Sequence, residues 1–273
     1  MSLKGKRIAL LESRMSSELA MLVQRQGGTP YCVPAVRESP LDCTDQVKAL
    51  IDHLEQGRLN MVVFQTGVGV KALLRESERL ERREQLIALL SGVITVCRGP
   101  KPTAVLKQNA IPISAAVREP YTTHELVEAL TALHPEGKRI AVIHYGERNT
   151  LLTDTLRGSG SLVEEICLYE WLLPEDLTSL RNLVDEVVGG RVDAIAFTNQ
   201  IQIRHLFQIA ADLGQERQLA GAMREKVVVA SVGPTCTATL KEFGIIPAVI
   251  PSHPKMGPLV YALSEHFGPK AKD

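Results

Sequence analysis

The strongest constraint in this sequence is that it repeats itself. The segment from Arg7, RIALLESRMSSELAMLVQRQGGTPYCVPAV, runs parallel to the segment from Arg139, RIAVIHYGERNTLLTDTLRGSGSLVEEICLY, at an offset of 132 residues. RLNMVVFQTGVGVKALL from Arg58 matches RVDAIAFTNQIQIRHLF from Arg191 at an offset of 133. ITVCRGPKPTAVLKQNAIP from Ile94 matches VVASVGPTCTATLKEFGIIP from Val228 at 134. Three matches in one order at nearly constant spacing mark a duplicated unit, and a repeat of this length decides the fold.

Each copy supplies a short apolar strand followed by a helix three times over. Strands such as Met61-Val62-Val63-Phe64 and Val227-Val228-Val229-Ala230 lack polar alternation and are separated by helical patterns. That combination predicts parallel pairing with helices on both faces, so the class is α/β with two similar doubly wound parallel-sheet domains. Gly27-Gly28 and Gly158-Ser159-Gly160 stand where helices must end. A chain of 273 residues suits two domains, each large enough to bury a core. Prolines cluster from Pro34 to Pro40 and recur at Pro174, equivalent points of the two copies. Extended crossovers are expected there. The predicted organisation is one discontinuous domain of residues 1–36 plus 172–273 and a second of 40–168, with a two-stranded linker near 34–40 and 169–174. The tail GPKAKD is expected to fray.

The charge balance narrows the partners. Thirty-one basic residues offset 31 acidic ones, so no overall positive field recommends nucleic acid or an anionic membrane, and any anion must be held locally. The five cysteines, at 32, 43, 97, 167 and 236, never form a CxxC pair, which reads as scattered buried thiols in a reducing compartment. No apolar run reaches the roughly 18 residues of a membrane span. The N-terminus has too short an apolar segment for a signal peptide, so a cytoplasmic protein is expected.

In a parallel α/β sheet, ligands bind outside the carboxyl ends of the strands. Six strand-to-helix turns fall there: Glu12-Ser13-Arg14-Met15, Gln65-Thr66-Gly67-Val68-Gly69, Arg98-Gly99-Pro100-Lys101, Tyr145-Gly146-Glu147-Arg148-Asn149, Thr198-Asn199-Gln200 and Gly233-Pro234-Thr235. Hydroxyls, amides and glycines at helix N-termini suit anion capture, although ordinary helix capping uses the same residues. Nucleotide motifs are missing: Gly67-Val68-Gly69 is not GxGxxG, and no GxxxxGK[ST] occurs. The seven histidines show no ligand spacing and read as surface or satisfied core residues, so no metal is expected. Cys97 and Cys236 lack a histidine partner in the sequence and read as buried small hydrophobes. The run ESERLERREQ from Glu76 reads as a solvated helix face. Tyr169, before Pro174, stands at the mouth of the second crossover, where a neutral phenol could donate a hydrogen bond to a departing oxygen or simply cover a hinge.

The chain resembles the uroporphyrinogen-III synthase family over nearly its whole length. The resemblance lies in the order of several features: the N-terminal strand with Gly27-Gly28-Thr29-Pro30, the Phe64 and Phe197 turns, Gly146-Glu147-Arg148, Leu168-Tyr169, and Gly233-Pro234-Thr235 followed by Leu240 and Gly244. It implies two α/β domains on a two-stranded linker, with the active site in the cleft between them. The implied reaction closes hydroxymethylbilane to uroporphyrinogen III, with inversion of the last ring and loss of water, in heme, siroheme and cobalamin biosynthesis. No cofactor or metal is implied. By position, Tyr169 matches the family tyrosine that assists departure of the hydroxyl, and Thr235 matches the Gly-Pro-Thr threonine. Thr66, Gly67, Thr103, Thr198, Asn199 and Gln200 fall in or beside the corresponding turns, and Arg14 and Arg148 are added as cations that reach the same space.

The family's usual Phe-Thr-Ser is replaced here by Phe64-Gln65-Thr66-Gly67 and Phe197-Thr198-Asn199-Gln200, so the serine hydroxyl is lost from both copies. This leaves two other readings open: a non-catalytic tetrapyrrole-binding regulatory module, or a receptor for a small anion such as a sugar phosphate. The expected partners are the bilane substrate and, as a candidate, the preceding bilane-forming enzyme, with no nucleic acid, no membrane and a monomeric chain.

Overall fold

A computed structural model describes residues 2–144 and 146–268. The N-terminal third runs β1 (Arg7–Leu10), α1 (Ser16–Arg25), β2 (Thr29–Cys32), β3 (Arg37–Pro40), α2 (Thr44–Glu55), β4 (Met61–Phe64), α3 (Gly67–Arg79) and α4 (Arg83–Leu90). The middle runs β5 (Ile94–Cys97), α5 (Pro100–Gln108), β6 (Ala115–Ala116), α6 (Thr123–Thr131), β7 (Arg139–Ile143), α7 (Thr150–Gly158), β8 (Leu162–Ile166) and β9 (Tyr169–Leu172). The chain ends with α8 (Thr178–Val188), β10 (Ala194–Phe197), α9 (Gln200–Asp212), α10 (Glu216–Glu225), β11 (Val228–Ser231), α11 (Pro234–Glu242) and α12 (Met256–Phe267). These elements divide into two compact units, Met1–Arg37 with Leu172–Asp273, and Glu38–Trp171.

The duplication becomes visible in the sheets. The second unit has five strands in the order β6-β5-β4-β7-β8. In the first unit the order is β11-β10-β1-β2, and Val249 bridges Ala230 in parallel on the outer side of β11, where β6 stands in the other copy. Every resolved ladder within the two sheets is parallel, with Ile8 opposite Ala194 in one and Met61 opposite Ile140 in the other. Strands β3 and β9, where the chain passes between the units, pair as a separate two-stranded sheet.

The lack of polar alternation has a direct cause, because each sheet is buried on both faces. Val62 and Phe64 of β4 enter one apolar cluster with α2, α3, α4 and α5, while Met61 and Val63 enter another with α6 and α7. In the first unit Ala9 and Leu11 face the cluster of α8 to α11, whereas Ile8 and Leu10 face that of α1 and α12. Phe64 and Phe197, at duplicated positions, are both fully buried, a contribution of roughly 2–3 kcal/mol each. The strands β2 and β8 depart from this pattern as edge strands, and β8 carries Glu164 and Glu165 at half-buried positions rather than reading as wholly apolar.

Two sequence expectations are corrected. The run from Glu76 is not one solvated face: it ends α3, turns at Glu81 with φ of 58°, and starts α4, and Glu76 itself is buried. Its carboxylate accepts from the Thr44 hydroxyl and from Arg79, each at 2.8 Å. The thiols are not uniformly buried either, since Cys32 lies exposed on the edge strand β2 and Cys167 is half-buried. The expected fraying concerns residues 269–273, which lie outside the described residues, apart from Gly268.

Candidate functional site

A doubly wound sheet opens a crevice where its strand order reverses, outside the carboxyl ends of the two central strands. Here the reversals fall between β4 and β7 in the second unit and between β10 and β1 in the first.

At the β4/β7 reversal three polar side chains are almost wholly enclosed: Gln65, His144 and Asn149, at 2%, 1% and 6% exposure. His144 Nδ1 accepts the backbone N–H of Asn149 at 3.1 Å, and its Nε2 lies 2.9 Å from the Glu165 carboxylate. The Asn149 side chain caps α7 by accepting the Leu152 N–H, and its Nδ2 donates to Gln65 Oε1 and Thr123 Oγ1, both at 2.9 Å. Burial pushes His144 below its ordinary value, partly offset by Glu165. Burial alone would raise Glu165, but the Arg157 hydrogen bond and the nearby Arg148 charge hold it below the usual carboxylate range.

Thr66 follows Gln65 and caps α3, its Oγ1 accepting the Gly69 N–H at 3.0 Å. The same oxygen lies 3.2 Å from the Tyr169 hydroxyl, so the sequence-predicted Thr66 and Tyr169 come together. Tyr169 is 6% exposed at the start of β9, edge-on to Trp171 at 6.2 Å. Trp171 in turn covers Gly146, whose φ of 76° and 2.7 Å clearance to the indole from an added Cβ admit only glycine.

The β10/β1 reversal holds Glu12, Thr198 and Gln202. Thr198 Oγ1 donates a short hydrogen bond to Glu12 Oε2, the Gln202 amide reaches the same oxygen at 3.4 Å, and the Met15 N–H reaches Oε1 at 3.3 Å. Asn199 is the N-cap of α9, with Gln202 completing a capping box, and Gln200 opens the helix half-buried. The Thr198 hydroxyl proton is thus already engaged within the chain.

The remaining predicted residues are dispersed. Gly67 is a packing position, because an added Cβ would stand 2.9 Å from the Lys101 carbonyl oxygen. Thr103 donates to the Gly99 carbonyl at 2.9 Å. Arg148 meets Glu165 at 3.3 Å with its side chain 61% exposed, and Arg14 and Thr235 are exposed at their turns. Tyr145, in the turn after β7, lies outside the described residues. Burial raises the thiols of Cys97 and Cys236 to about 11 and about 12, so neither is a ready nucleophile. Among the described residues no group of three or more His, Cys, Asp or Glu is placed to hold a metal ion, and no helix is long and apolar enough to cross a membrane.

Sequence reasoning missed His144, Gln65, Asn149 and Glu12 as centres of these networks. The offsets held the signal: position 12 plus 132 is 144, and position 198 minus 133 is 65. Each reversal is therefore bridged by side chains from the same two duplicated positions.

The chain is similar in sequence to the Bacillus subtilis (strain 168) uncharacterized protein YjjA, 28% identical over 268 residues with 98% of each chain covered. A putative uroporphyrinogen-III synthase of Methanothermobacter thermautotrophicus is 28% identical over 258 residues, covering 93% of this chain and 95% of that one. Among solved structures, a mutant uroporphyrinogen III synthase from the extremely thermophilic bacterium Thermus thermophilus shares the fold at a TM-score of 0.78, with 23% identity over 96% of this chain and 98% of that one. The wild-type Thermus protein in another crystal form matches at a TM-score of 0.60 with 27% identity, covering 96% and 97%. The family model described as HEM4, uroporphyrinogen-III synthase HemD, matches residues 17–261, through both copies of the repeat, and the chain belongs to that family.

Proposed function

We propose that this chain closes hydroxymethylbilane into uroporphyrinogen III, inverting the last pyrrole ring and releasing water. The observation that carries this reading is the family match from residue 17 to residue 261. The position of the Tyr169 hydroxyl beside Thr66, at the carboxyl edge of a doubly wound sheet, supports it.

In the proposed course, the terminal C–O bond of the bilane breaks as Tyr169 donates its proton to the departing oxygen, leaving an azafulvene and water. The azafulvene carbon is attacked by the substituted carbon of the last ring, giving a spiro intermediate. Fragmentation and reclosure at the other ring position invert the last ring, and the ring proton lost on rearomatisation restores the Tyr169 phenol. A phenol suits this role because it is protonated at neutral pH yet acidic enough to donate strongly. The substrate is a polycarboxylate. Groups at the turns, exposed at Thr235, Arg14 and Arg148 and half-buried at Gln200, with the helix N-termini after Thr66 and Asn199, would hold it bent. Thr103 and Thr198 would contribute only as acceptors, because their hydroxyl protons and their backbone N–H groups are engaged.

The test is product identity. Purified protein given freshly made hydroxymethylbilane should yield the type III isomer in excess on chromatography, and type I alone, the spontaneous product, would overturn the reading. Tyr169→Phe should lower kcat by roughly 100-fold with an unchanged circular dichroism spectrum, in line with loss of a general acid.

A further inference from the structure

At the β4/β7 reversal, His144 has no task of its own in the proposed reaction. It is 1% exposed, so it cannot itself meet a substrate in this structure, yet both of its ring nitrogens are engaged. A backbone amide can only donate, so Nδ1, 3.1 Å from the Asn149 nitrogen, carries a lone pair and no proton. Glu165 is held ionised by Arg157 at 2.6 Å and Arg148 at 3.3 Å, and can only accept, so Nε2 carries the proton. The surroundings therefore define a single neutral tautomer.

That tautomer fixes a chain of contacts. With Nδ1 holding the Asn149 backbone, the Asn149 amide is aimed at Gln65 and Thr123, tying the turn after β7 to the turn after β4 and to the start of α6. Gln65 Nε2 also lies 3.4 Å from Nδ1. Gln65 is joined directly to Thr66, whose hydroxyl meets Tyr169. We propose that neutral His144 is a positioning residue for the reaction, holding the Gln65-Thr66 turn, and through it Tyr169, in the catalytic arrangement. This rests on the functional reading given above.

Among the described residues, the charged groups that face His144 are Glu165 of β8, Arg157 of α7 and Arg148 of the intervening turn, while uncharged Gln65, after β4, and Thr123 of α6 complete its network. Protonation of Nδ1 would expel the Asn149 N–H and release the turn. The network is thus intact above the His144 titration and lost below it, on the acid side of the ordinary histidine value near 6.5.

Two substitutions separate the ring nitrogens. In H144N the amide oxygen falls near Nδ1 and can still accept from Asn149, while Glu165 keeps both arginines. H144Q places its amide nitrogen near Nε2, retaining Glu165 but leaving the Asn149 N–H without its acceptor. We expect H144Q to lower kcat by about tenfold with KM within about twofold, a loss of order 1.4 kcal/mol in the transition state. H144N should recover activity to within about threefold and should abolish the acid limb of the kcat profile. Equal activity of H144Q and the wild type, or an acid limb unchanged in H144N, would overturn the proposal. A second readout needs no activity: the ring nitrogen shifts of His144 in the full-length protein at neutral pH should report a protonated Nε2 and a bare Nδ1. A protonated Nδ1 overturns the positioning role even if the type III isomer forms, whereas type I product alone from the wild type refutes the reaction and leaves the ring assignment measurable.

Discussion

The two strand-order reversals of this molecule occupy the same place in two copies of one unit, yet they are built from opposite chemistry. In the first unit the bridge is a carboxylate, Glu12, half-buried and surrounded by the donors of Thr198, Gln202 and Met15. In the second it is an imidazole, His144, with 1% exposure, between a backbone N–H and a carboxylate that two arginines neutralise. A charge is tolerable where water reaches it and three donors meet it, but in a closed site the cost of desolvation favours a neutral group. Duplication kept the backbone frame and the bridged positions, and local burial dictated which side chains could occupy them.

The comparison can be broken most severely by exchanging the bridges. His144→Glu would bury a second carboxylate against Glu165, and because a buried unpaired charge costs several kcal/mol, it should leave the protein largely unfolded at neutral pH. Glu12→His, at the half-buried position, should remain folded and lose only about 1 kcal/mol in chemical denaturation. Similar losses for both would mean that the two sites do not differ in the way their burial indicates.

A milder comparison uses positions 17 and 149, again 132 residues apart. Asn149→Leu removes the α7 cap and both donors to Gln65 and Thr123, so denaturation should show a loss of about 3 kcal/mol. Ser17→Leu, on the exposed face of α1, should change stability by less than about 0.5 kcal/mol. A large effect at Ser17 would indicate a buried network in the first unit as well.

These contrasts also separate what could be read from the sequence from what could not. The repeat at Arg7 and Arg139 and the uninterrupted apolar strands determine the α/β class and the parallel sheets, because burial on both faces leaves no room for polar alternation. The site was less legible. Tyr169 could be singled out by its place before the crossover, and Thr66 by its turn, but their meeting at 3.2 Å depends on how β9 crosses the end of β4. His144 looked like an ordinary satisfied histidine, since Asn149 is local to its turn but Gln65 and Glu165 come from segments that only the folded sheet brings to it. Glu76 failed for the same reason: a local charge run gives no sign that Thr44 will cover its first carboxylate.

The smallest expected effect lies at the rim of the second reversal. Arg148 meets Glu165 at 3.3 Å from a side chain 61% exposed, whereas Arg157 holds the other oxygen at 2.6 Å. Exposed ion pairs contribute little, and Glu165 keeps Arg157, so Arg148→Ala should cost no more than about 0.5 kcal/mol. The sign of its pH dependence follows from Glu165, whose carboxyl is held below its ordinary value: the contribution is present above the unfolded pKa and disappears as pH falls through the folded one. The small stability difference between Arg148→Ala and wild type should therefore vanish in strong acid. If the guanidinium also engages bilane carboxylates, KM should rise by about threefold at low salt and return to the wild-type value at high salt, where screening shortens the reach of the charge. A KM that does not respond to the substitution at any salt concentration would confine Arg148 to Glu165 and leave substrate capture to the other turns.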